Sequence, residues 1–138
     1  MANASDYLEA KILELVVGKT AFATPTAYIA LCTADPTDAG TGASMNELPD
    51  ANGYARVTTA GGYWDAAVSP GGTIQNASAF TFTASGGAWA EVTHFAILDS
   101  GTHGAGNMLV HGALDVAKTA ANGESIEFAI GALDLTCA

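Results

Sequence analysis

Apolar positions along this chain keep two rhythms, a short helical one and then a long strand-like one. Near the N-terminus Leu8, Ile12, Leu15 and Val16 fall at i, i+4, i+7 and i+8, one stripe on a helix. Asp6-Tyr-Leu-Glu9 suits a capping box, with the Asp accepting from the backbone and the Glu reaching back. Gly18 supplies a stop signal. The spacing predicts a helix over 5–17, about three turns long, which needs a surface to pack against.

After Pro25 the rhythm changes. Thr26 to Thr33 is apolar on both faces and predicts a buried strand, with a second strand at Tyr54–Thr58 behind the Asn52-Gly53 turn signal. Ile74, Phe80 and Phe82 share one parity, so 73–83 reads as one strand with a weak middle. Val92–Leu98 is apolar on both faces and reads as central, with Asn107–Leu114 its partner across a Gly-rich loop. In the last stretch Ile126, Phe128 and Ile130 face one way and Glu127 the other, and 132–136 closes the chain. Eight or nine short strands with a turn signal roughly every ten residues predict a mainly β fold. The expected architecture is a single domain over 1–138, an antiparallel β-sandwich or jelly-roll-like body at 26–136 behind one helix. Between the first two strands lies an acidic loop, 34–52, whose only large apolar residues are Met45 and Leu48. Loops this long are usually functional or mobile, and this one is expected to order on a partner.

Composition supports the strand count and narrows the partners. Sixteen glycines and 13% charged residues suit short strands and tight turns. Fourteen acidic residues oppose four basic ones, a formal charge of −10. The cations Lys11, Lys19, Arg56 and Lys118 are scattered, which weighs against nucleic acid and anionic membrane as partners. Met1 to Asp6 has no basic stretch, so no secretory leader is expected. Cys32 reads as a buried apolar residue in a strand and Cys137 as a loose thiol near the chain end. Two cysteines are too few for a disulfide framework, which suits folding in a reducing cytosol.

The candidate chemistry is thin. Asp35-Pro-Thr-Asp38-Ala-Gly40 lacks the ligand spacing of a calcium loop and suits side-chain-capped turns. His94, His103 and His111 show no helical pairing and no Cys-x-x-Cys partner, although His94 and His111 could be cross-strand neighbours. Gly101 to Gly106 has the glycine density of a phosphate loop in the wrong order, and reads as a flexible hairpin connection. Tyr63, Trp64 and Trp89 could form a sugar-stacking platform, but aromatics beside glycines at strand ends are more often core lids. No catalytic, cofactor or metal residues are expected, and the chain reads as a non-enzyme.

One resemblance runs through nearly the whole chain in order. It is carried by the helix, then Tyr28-Ile-Ala-Leu-Cys-Thr-Ala-Asp-Pro36, Gly53-Tyr-Ala-Arg56, Val92–Ile97, Gly106–Leu114, and Gly123 through Phe128 to Leu133. In this series the chain resembles small virion proteins of tailed bacteriophages, whether head-decoration or tail-fibre-like. The resemblance implies a structural role without catalytic residues. Of the two, a single compact domain suits a capsid decoration (cement) protein, bridging major capsid subunits on the virion surface as a homotrimer. The alternative is a tail, baseplate or fibre-associated protein, structural or glycan-binding. The expected contact residues are Leu8, Ile12, Leu15 and Val16 on the helix and Met45 and Leu48 in the acidic loop. Assembly is expected in the bacterial host cytoplasm.

Overall fold

A computed structural model describes residues 2–136, so Cys137 lies outside the described residues. The elements run β1 (Ala2–Ala4), α1 (Asp6–Val16), β2 (Ala27–Cys32), β3 (Val57–Thr59), a 3₁₀ turn at Gly61–Tyr63 and β4 (Thr73–Gln75). They continue with β5 (Phe80–Thr83), β6 (Trp89–Leu98), β7 (Met108–Ala120), β8 (Ser125–Phe128) and β9 (Asp134–Thr136). Seven strands form one sheet in the order β3-β2-β6-β7-β1-β9-β4, while β5 and β8 pair as a separate ribbon. The body is mainly β and sandwich-like, as the strand rhythm predicts. It differs in being mixed, because β1 runs parallel to β9.

The doubly apolar strands explain the layering. Ile29 and Leu31 of β2 lie opposite Ile97 and Phe95 of β6, and their side chains join Phe80, Phe82, Ile126 and Phe128 of the ribbon in the larger core. The Phe95 and Phe128 rings meet at 5.8 Å. The intervening residues Ala30, Cys32, Ala96 and Leu98 point to the other face, where Met45 and Met108 close a second, smaller core. A strand buried on both faces needs apolar residues at every position, which is the pattern β2 and the end of β6 carry.

Four expectations change. The 73–83 segment is two strands, β4 at the edge of the sheet and β5 in the ribbon, because buried Asn76 interrupts it. The Asn76 amide donates to the Ser78 and Ala129 carbonyls, and its Oδ1 accepts from Leu133 N–H at 2.8 Å. Side-chain parity carries no trace of such a hub. The second strand starts at Val57, since Tyr54 serves the loop before it. Ile130 lies beyond β8 and is exposed, so it does not share the buried face of Ile126 and Phe128. The short β1 has no apolar pattern to announce it; it is held by pairing to Val110–Gly112 of β7.

The helix runs from Asp6 to Val16, and its N-cap falls one residue before the expected Asp6. Ser5 is the N-cap, its Oγ accepting from Leu8 N–H at 3.2 Å and donating to the Met108 carbonyl. Ser5 N–H also bonds Leu109 O, so one buried residue fixes both the helix start and its seat on β7. Ser5→Ala is expected to cost about 1–2 kcal/mol, as a lost cap that also strips a partner from a buried carbonyl. Urea unfolding of the two proteins measures this directly.

Candidate functional site

The long loop after β2 is tied down by one buried charge cluster. Glu47 accepts a two-pronged bond from Arg56, Nε to Oε1 and Nη2 to Oε2, both 2.7 Å. The two side chains are 4% and 0% exposed, so each compensates the buried charge of the other. Arg56 Nη1 donates onward to the carbonyls of Ser100 and Ala105. Tyr54 Oη donates to Glu47 Oε1 and accepts from Leu31 N–H, linking the cluster to β2. His103 Nε2 donates to Leu48 O at 2.8 Å. Residues 34–52 and 99–107 are therefore clamped together, and the Gly-rich connection is pinned by its carbonyls. Gly42 marks how close they come: a Cβ there would lie 2.0 Å from Ala105 O.

The cluster perturbs its neighbours. Burial, with the Glu47 charge adding to it, pushes the Cys32 thiol up to about 12. The same two causes raise the Tyr54 phenol well above its ordinary range. Both groups stay protonated, in the state that packs and hydrogen-bonds, and neither is set up as a nucleophile.

The acidic turn is capped backbone. Asp35 Oδ1 accepts from Thr37 N–H at 2.9 Å. His111 Nε2 donates to Asp38 Oδ1 at 2.8 Å, and Asp6 N–H bonds Asp38 O, so the turn joins β7 to the start of α1. The three histidines are not brought together. His94 faces Ala113 across β6 and β7 while His111 faces Ala96, and His94 bonds the Thr93 hydroxyl. The aromatics do not form a platform either: Trp89 is buried against Tyr54, and Trp64 and Tyr63 both lean on Phe80.

Of the expected contact residues, Met45 and Leu48 are each 1% exposed. They are core side chains, Met45 closing the smaller core and Leu48 joining the larger, and they offer no partner surface. Leu8 and Ile12 are half-buried in α1, whose neighbours are β7 and β1. Leu15 and Val16 are exposed, together with Leu13 and Val17, at 50 to 75%. Leu13 and Val16 stand at i and i+3, with the C-cap Val17 next to them, so the exposed cluster starts at the end of the Leu8–Ile12 stripe and extends past it. The sequence reading missed Leu13 and Val17 because, apart from Glu14, the second half of the helix is apolar on every side. The signal was the run Leu-Glu-Leu-Val-Val at 13–17. No described residue of α1 is fully buried.

The described residues form a mainly β body whose long loops are pinned and whose helix ends in exposed apolar side chains. Residues 3–136 match the family model described as podophage GP4 fiber I protein gp80, and the chain belongs to that family of tailed-phage virion proteins. No curated protein matches the chain. Among the described residues no helix is long and apolar enough to cross a membrane.

Proposed function

We propose that this chain is a non-catalytic structural subunit of the fibre apparatus of a tailed phage, and that its copies associate through the outer face of α1. The observation that carries the association is the exposed triad Leu13, Val16 and Val17, on a helix with no fully buried residue. Apolar side chains this exposed gain most from a symmetric partner presenting the same face. The family's description supports the fibre over the capsid-decoration role that compactness alone suggests. Bridging of major capsid subunits is the competing arrangement, and it requires copies in register with the shell lattice. Electron microscopy of purified particles separates the two: density at the tail supports the fibre reading, and density over the capsid seams sinks it.

Association has its own test. Leu13→Asp with Val16→Asp is expected to weaken self-association at least a hundredfold, about 3 kcal/mol for two apolar side chains left in water. Folding stability should stay within about 0.5 kcal/mol, because both residues are exposed in the monomer. Sedimentation of wild type and variant decides it; a monomeric wild type, or an equally associated variant, removes α1 as the interface.

A further inference from the structure

We infer that the cleft between β7 and β8 is an acceptor site for an extended, basic segment of a different protein, taken up by strand addition. β7 is long enough to outrun its neighbours. Its N-terminal half is paired on both sides, by β6 and by β1. From Ala113 onward, among the described residues, β6 meets it only at Ala113, Lys118 and Ala120, with 114–117 bulged out of that ladder, so the backbone is open to a new partner through Lys118. Among the described residues β8 pairs only with β5 and leaves its other edge free. The two edges line a groove of about 700 Å³, floored by Phe95, Leu114 and Phe128. Unpaired strand edges beside apolar side-chain pockets are the two elements of peptide recognition by β-augmentation.

The charge of the groove selects the occupant. Asp115, Glu127 and Asp134 line it against a single cation, Lys118. Asp134 Oδ1 is shielded from solvent and has no hydrogen-bond partner. A buried carboxylate oxygen without a donor is a standing cost that an entering lysine or arginine relieves. A second copy of this chain does not supply that group on a free strand. Arg56 is buried with Glu47, Lys11 and Lys19 sit beside Glu14, and Lys118 belongs to β7 itself. The occupant is therefore a basic strand from another protein, and the site is separate from the α1 face.

A six-residue peptide alternating Val with Lys or Arg, blocked at both ends, is a suitable probe, with its Glu-substituted counterpart as control. Titration followed by amide NMR on the full chain should show the basic peptide binding and the acidic one not. Hydrogen exchange should slow at alternate amides between Ala113 and Lys118, the mark of a new ladder. Asp134→Asn should weaken binding about tenfold, and so should the exposed-surface change Glu127→Lys, which keeps the test open if the first variant folds poorly. Raised salt should weaken binding as well. Equal binding of the acidic peptide, unchanged exchange at 113–118 with peptide in millimolar excess, or protection of those amides by self-association alone would each overturn the assignment.

Discussion

Replacing Arg56 with Met is expected to remove about 3–5 kcal/mol of folding stability, the usual cost of leaving one member of a buried ion pair behind. Glu47 would be left at 4% exposure with Tyr54 Oη as its close donor, Gly104 N–H lying at 3.4 Å and His103 Nε2 at 3.8 Å. The carbonyls of Ser100 and Ala105 would lose their donor at the same time. Urea unfolding gives the measurement, and the midpoint should move with little change in slope. Pairing Arg56→Met with Glu47→Gln should recover more than half of the loss, because the uncompensated charge goes with it. Arg56→Lys should fall between, since an ammonium cannot hold both carboxylate oxygens and two carbonyls in the geometry of the fork. A loss below about 1 kcal/mol in the single variant would mean that the clamp is not what holds the two loops.

That cluster was the least legible part of the molecule. Tyr54 and Arg56 alternate like strand residues, and an arginine two places from a tyrosine reads as surface. Glu47 sits in a loop nine residues away in sequence, where a carboxylate reads as solvated. Only the fold shows the loop lying across the Ala30–Cys32 face of β2, with Glu47 bridged to Cys32. By contrast β2, β6 and the ribbon strands were legible because burial on two faces, or strictly on one, leaves a pattern in every residue. The helix stands between these cases. Its rhythm fixed its existence and length to within a residue or two. It could not fix which side met the body, since Leu13, Leu15, Val16 and Val17 leave Glu14 as the one polar position of its last turn. Met45 and Leu48 show the same ambiguity in reverse: two large apolar residues in a polar loop suit a partner or a core equally. The ion pair beside them is what turns the loop inward.

Alkaline pH should unfold this protein well before its ordinary surface charges explain it. In the native chain the Cys32 thiol is raised from 9.0 to about 12, and the Tyr54 phenol is raised further from 10.0. Both are neutral when folded, whereas the unfolded chain releases the thiol proton near pH 9 and the phenol proton near pH 10. Protons held by the native state and lost by the unfolded one make stability fall as pH rises. Up to about pH 9 their contribution is fully present. Above it Cys32 removes about 1.4 kcal/mol per pH unit, and Tyr54 adds a similar slope from about pH 10. Between pH 9 and 12 the Cys32 share alone reaches about 4 kcal/mol, most of the roughly 5 kcal/mol that holds a marginally stable domain. Stability from urea midpoints at pH 7 to 11.5 tests this. Cys32→Ala should flatten the slope above pH 9, and Tyr54→Phe above pH 10, whatever each does to stability at neutral pH. Tyr54→Phe also strips Leu31 N–H of its acceptor and Glu47 of a donor, so its neutral-pH stability should fall while its alkaline slope shrinks. Slopes identical to wild type in both variants would show that the thiol and phenol ionise freely in the folded protein, and that the core around Glu47 is open to water.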